Sequence, residues 1–209
     1  MVGRTRKGSP YIRFNLGELY FQFEQTMKLD SDKAWLEGVR QCPSPHCDDR
    51  PAGVEIELLV IHGISLPPRE FGGPFIDQLF TQTLDKNAHA CFAEIAHLRV
   101  SSHLLIRRTG EVVQYVSLQQ RAWHAGVSSF RGRTRCNDFS FGIELEGCDD
   151  VPYTDEQYQQ LMRVIGILQE AWPILTADRI VGHCDIAPGR KTDPGPAFDW
   201  KRLNEALSI

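Results

Sequence analysis

Twice in these 209 residues a short apolar run stops at a histidine flanked by glycine. Leu58-Leu59-Val60-Ile61 runs into His62-Gly63, and the strand read over Arg179 to Val181 runs through Gly182 into His183. A run with no polar side to show water reads as a strand covered on its faces by other elements. The chain must therefore build a sheet, bury its middle and lay helices over it.

The remaining elements follow from periodicity. Phe75, Ile76, Leu79 and Phe80 have helical spacing, giving a short helix. Leu98 to Ile106 and Val112 to Val116 flank Arg108-Thr109-Gly110-Glu111, which reads as a hairpin. Phe139 to Leu145 is a further strand. Thr154 with Gln157 three residues on is a capping box, opening a helix with Tyr158, Leu161, Val164, Ile165 and Leu168 on one face and ending near Trp172-Pro173. Asp199 to Leu207 is a last helix. Val39 to Pro51 reads as irregular, because proline recurs at alternate positions in Cys42-Pro43-Ser44-Pro45. A hairpin among helical crossovers predicts an α/β (α+β) chain with a single mixed β-sheet flanked by helices. Ligands in such sheets gather where strands end.

Residues 1–26 differ in texture from the rest of the chain. They mix basic residues, Gly-Ser-Pro and aromatics, and Glu18-Leu19-Tyr20-Phe21-Gln22 resembles a protease-tag site. They are expected to be a disordered or non-native extension, with one domain over 27–209. The net charge of -4 gives no general attraction to nucleic acid or anionic membranes. No apolar run is long enough to span a bilayer and no secretory signal is read, so a cytoplasmic protein is expected; a monomer is the separate expectation for its assembly. The six cysteines include no Cys-x-x-Cys pair and are expected to be reduced thiols.

The stretch after Gly182 concentrates chemistry. His183, Asp185, Arg190, Lys191 and Asp193 lie within eleven positions among prolines and glycines that fix the backbone. Two histidines at strand ends and a loop carboxylate are the minimum for a catalytic zinc, which takes three protein ligands and leaves one position open. His62, His183 and Asp193 are the candidate set. Spacing alone leaves His46, His89, His97, His103 and His124 in competition. Strand alternation puts Glu144 and Glu146 on the face opposite Phe141, Ile143 and Leu145. Glu144 reads either as a general base or as part of a solvated strand face, and Lys191 either as a partner for developing negative charge or as a surface lysine. A cysteine hydrolase using Cys184 is disfavoured, since neighbours on a strand point apart. Glu144 and Glu146 as a glycosidase pair have no further support.

At these residues the sequence resembles the AmpD-type 1,6-anhydro-N-acetylmuramoyl-L-alanine amidases, zinc amidases sharing a fold with peptidoglycan recognition proteins and phage lysozyme-amidases. The matching blocks include Val60-Ile61-His62, Ile64-Ser65-Leu66-Pro67-Pro68, Ile95-Ala96-His97-Leu98-Arg99-Val100-Ser101, Arg121-Ala122-Trp123-His124-Ala125-Gly126-Val127-Ser128, Arg135-Cys136-Asn137-Asp138, Gly142-Ile143-Glu144-Leu145-Glu146-Gly147, and Gly182-His183 with Arg190-Lys191-Thr192-Asp193-Pro194. They span roughly Met27 to Arg202. The resemblance implies one Zn2+ per chain on His62, His183 and Asp193, Glu144 as catalytic carboxylate and Lys191 as transition-state partner. It implies that Arg99, Trp123 and Arg135 bind substrate. The implied reaction is hydrolysis of the amide between 1,6-anhydro-N-acetylmuramic acid and L-alanine in cytoplasmic peptidoglycan recycling, with a link to β-lactamase induction. A non-catalytic peptidoglycan-binding module is the rival, and the intact ligand set argues against it. One departure stands out: Gly63 occupies a position where the family commonly has Asn.

Overall fold

The computed structural model describes residues 27–207, so the expected extension, residues 1–26, lies outside the described residues. In chain order the strands are β1 (Lys28–Leu29), β2 (Leu36–Glu37), β3 (Arg40–Gln41), β4 (Cys47–Asp49), β5 (Leu58–Ile64), β6 (Leu104–Ile106), β7 (Val112–Gln114), β8 (Gln120–Ala122), β9 (Ser129–Phe130), β10 (Arg133–Thr134), β11 (Ser140–Glu146) and β12 (Ile180–Gly182). The helices are α1 (Phe75–Phe80), α2 (Asp155–Ala171), α3 (His183–Ile186) and α4 (Trp200–Leu207).

Six strands form one mixed sheet in the order β12-β5-β11-β6-β7-β3. β12, β5, β11 and β6 run parallel; β6 and β7 are the expected hairpin, and β3 adds to its outer edge. All seven residues of β11 are buried, as a central parallel strand requires.

The two faces are covered differently. Leu59 and Ile61 of β5 and Phe141, Ile143 and Leu145 of β11 pack against Leu161, Val164, Ile165 and Leu168 of α2. Thr154 closes the capping box with Gln157, and the buried Gln157 side chain donates to the carbonyls of Ile106 and Glu146, tying the helix start to the sheet. On the opposite face, Leu58 and Val60 pack with Ala125, Cys136, Phe139 and Ile186, while α1 covers Leu105, Val113 and Tyr115.

Three expectations need correction. Val39 to Pro51 is not wholly irregular: Arg40–Gln41 joins the sheet edge and Cys47–Asp49 pairs with β8. Proline remains outside these short pairings, so its missing N–H costs nothing. The first hairpin strand starts at Leu104, not Leu98. Cys184 lies in the helical turn of α3 rather than on a strand, because the Asp185 carboxylate accepts from the Gly182 N–H at 2.7 Å and starts the turn there.

Candidate metal centre

His62 is the fifth residue of β5, on the face away from α2. Strand β5 continues two residues beyond it, so it lies within the strand rather than at its end. His183 opens α3 immediately after β12, which pairs with β5. Asp193 reaches in from the loop after α3, whose fold is held by the Cys184 N–H donating to the Asp193 carbonyl at 3.0 Å. Residues 121 and 10 positions apart in sequence thus collapse onto one point. His62 Nδ1 and His183 Nδ1 are 3.0 Å apart, and Asp193 Oδ2 is 3.2 Å from the first and 3.0 Å from the second. Among the described residues this is the one group of histidine, cysteine and carboxylate donors that converges as a metal set.

The donor chemistry fits a cation. Three electron-pair donors face each other, and both histidines are only 2% exposed. Ligands about 2.0–2.2 Å from a tetrahedral ion sit about 3.3 Å apart, close to the triangle observed. The far nitrogen of His183 lies 3.1 Å from the Ala125 carbonyl, which can only accept. Nε2 therefore carries the proton of the neutral ring and Nδ1 presents its lone pair. Burial pushes the His62 pKa down to about 4, so its ring is neutral at pH 7 and able to ligate. Burial would raise the Asp193 carboxyl, but the neighbouring His183 and His62 rings outweigh it and hold it below the usual carboxylate range.

Glu144 pairs in register with His62 across the β5–β11 ladder, so their side chains leave the sheet side by side. It is 8% exposed, and burial, with the Asp193 charge adding, raises its pKa well above the ordinary carboxyl range. The Lys191 charge opposes that rise. A raised carboxyl beside a metal set is the environment of a proton-transferring group. Lys191 is exposed on the Asp193 loop, near enough for its charge to act on both Glu144 and His62. Glu146, on the same strand face, is engaged elsewhere: it accepts from the Gly72 N–H, the Arg108 N–H and Arg107.

A family profile described as N-acetylmuramoyl-L-alanine amidase matches residues 52–196. The 1,6-anhydro-N-acetylmuramyl-L-alanine amidase AmpD of Escherichia coli K12 is 62% identical over 177 residues, 85% of this chain and 96% of that protein. The chain belongs to the N-acetylmuramoyl-L-alanine amidase family. Among solved structures, a crystal structure of a Se-Met AmpD derivative is 61% identical, covers 87% of this amidase and 99% of its own chain, and superposes with a TM-score of 0.83. AmiD from E. coli, solved in complex with the substrate anhydro-N-acetylmuramic acid-L-Ala-D-γ-Glu-L-Lys, is 31% identical over 75% of this amidase and 60% of that chain, TM-score 0.54. The mixed sheet is thus that of the peptidoglycan recognition protein-like amidases.

The residues expected to hold substrate are differently placed in this amidase. Trp123 is half-buried, stacked on His46 with its indole N–H donating to Asp48 at 3.0 Å. Arg99 is exposed. Arg135 is exposed and pairs with Asp138 at 3.1 Å. None of the three contacts the metal set. Sequence reasoning overlooked the supports of the amidase centre. Arg190 donates to the carbonyls of Ala125 and Val127, bracing the loop that holds His183. The Tyr153 hydroxyl donates to the Pro194 carbonyl at 2.9 Å, next to Asp193. A Cβ at Gly63 would sit 2.5 Å from that hydroxyl, so glycine here makes room for the tyrosine brace. These contacts join chain segments too distant for spacing to relate.

Proposed function

We propose that this amidase hydrolyses the amide joining 1,6-anhydro-N-acetylmuramic acid to the L-alanine of a stem peptide, with one zinc ion held by His62, His183 and Asp193. The substrate class is that in the names of its AmpD relatives and in the AmiD complex. The observation that carries the reading is the triangle of Nδ1, Nδ1 and Oδ2 atoms with the raised carboxyl of Glu144 beside it. The ion would supply Lewis acidity, polarising the scissile carbonyl and acidifying water toward a pKa of about 7.

The protein's own groups do the rest. Glu144 takes a proton from the attacking water and returns it to the departing L-alanine nitrogen, a role its raised pKa suits. The Lys191 ammonium faces the negative charge developing on the carbonyl oxygen. Trp123 lines the groove, and the exposed guanidiniums of Arg99 and Arg135 meet the carboxylates of the substrate. The domain is residues 27–209, acting as a monomer on cytoplasmic muropeptides released in wall recycling, a step able to limit β-lactamase induction. No helix among the described residues is long and apolar enough to cross a membrane.

Glu144→Ala tests the assignment. It should retain one zinc per chain, measured by atomic emission, and lose turnover of anhydro-N-acetylmuramyl tripeptide by about 10²–10⁴-fold. Turnover like that of the unaltered chain would remove Glu144 from the proton-transfer role.

A further inference from the structure

His124 touches the metal set without belonging to it. Its Nδ1 lies 2.9 Å from His62 Nε2, and its Nε2 lies 3.2 Å from Ser140 Oγ. The Ser140 hydroxyl is 2.6 Å from the Cys136 carbonyl oxygen. That carbonyl can only accept, so the single hydroxyl proton of Ser140 is spent on it. Ser140 must then accept from His124 Nε2–H, which leaves His124 Nδ1 as an acceptor. His124 Nδ1 in turn receives the proton of His62 Nε2, and His62 Nδ1 is left bare. A ligating Nδ1 requires the same arrangement from the other end. Both ends of the chain of bonds therefore fix one direction, from His62 through His124 and Ser140 to the Cys136 carbonyl.

We propose that His124 is a positioning residue for the metal centre: with Ser140 it locks His62 in the Nε2–H tautomer and aims its Nδ1 at the ion. The proposal rests on the reading of His62, His183 and Asp193 as the metal set. Three further features fit it. A Cβ on Gly142 would lie 2.5 Å from His124 Cγ and 2.7 Å from its Nδ1, so the central strand carries glycine where the ring lies against it. The Asn137 carboxamide oxygen accepts from the N–H groups of both His124 and Ala125, at 3.2 and 2.8 Å. The Ala125 carbonyl receives Nε2 of His183. One clamped dipeptide thus orients both metal histidines, the first by an imidazole and the second by a carbonyl. Supports of this kind set ligand orientation and basicity, and losing one costs about 10–100-fold in metal affinity.

The test uses the full chain, stripped of metal and titrated with zinc against a chromophoric chelator, together with imidazole ¹H–¹⁵N spectra of the metal-free protein. His124→Ala should weaken zinc about 10–100-fold, with the His62 proton divided between its two nitrogens. His124→Asn, whose amide oxygen can replace Nδ1 as acceptor, should recover most of the affinity. Ser140→Ala keeps the ring and removes only its orienting hydroxyl; it should weaken zinc too, and it carries the test if His124→Ala does not fold. Zinc affinity within about twofold of the unaltered chain in these variants, with His62 still protonated on Nε2, would overturn the proposal. A chain with His124 intact that takes up no zinc, or a His183→Ala variant that binds it undiminished, would instead overturn the metal-site reading.

Discussion

Glu144 and Glu146 leave the same face of one strand two residues apart, yet their surroundings assign them opposite work. Glu146 is 2% exposed and accepts from Gly72, Arg108 and Arg107. Removing it would leave the Gly72 and Arg108 N–H groups without their acceptor and take from Arg107 one of three carboxylate partners, Asp77 and Glu111 remaining. Glu146→Ala should cost about 1–3 kcal/mol of stability by urea denaturation. Glu144 carries a raised pKa instead, with burial the leading cause. In the metal-free chain its contribution to stability is intact below the unfolded carboxyl value of about 4.3 and is lost as pH rises toward the raised folded value. Glu144→Gln cannot ionise. It should therefore be more stable than the unaltered metal-free chain at neutral pH and converge with it below about pH 4, a difference thermal melts at both pH values would read. Alternation placed both carboxylates on one face from sequence. It could not separate them, because Arg107 and Gly72 come from other parts of the chain. The same limit left His124 an unassigned competitor, although it lies beside His62.

Elements with a local signature were legible nearly to the residue. The capping box at Thr154 opens α2 where expected, and Trp172 follows its last turn. Thr154 accepts from the Gln157 N–H and donates to the Arg108 carbonyl at 2.8 Å, joining the helix start to the hairpin turn. Thr154→Ala should lower stability by about 1 kcal/mol, measured by urea denaturation, with zinc uptake unaltered. Buried strands were legible because apolar runs have one stable environment. The two- and three-residue strands β3 and β4 were not, since so short a pairing imposes no period on the sequence. Cys184 was judged on strand geometry, and α3 replaces that geometry. In α3 its sulfur lies 3.9 Å from the Asp185 carboxylate, and burial raises its pKa. That leaves it a poor nucleophile by a different route.

Across the whole molecule, the mixed sheet assembles the centre from three stretches that never meet in sequence. β5 brings His62, β11 brings Glu144, and β12 delivers His183 at its end with the Asp193 loop behind it. The face toward α2 supplies an apolar core, while the opposite face holds the titratable groups in the carboxyl-terminal halves of β5 and β11 and just after β12. Strand order and parallel register could not be read from the chain, and they are what make four scattered residues one site. The central claim is that His62, His183 and Asp193 hold a single zinc ion in this seam. An anomalous difference map from zinc-loaded crystals, collected on both sides of the zinc edge, tests it most directly. One peak per chain is expected, bonded to His62 Nδ1, His183 Nδ1 and Asp193 Oδ2. A peak ligated by His124, or one lying away from these three atoms, would contradict the claim.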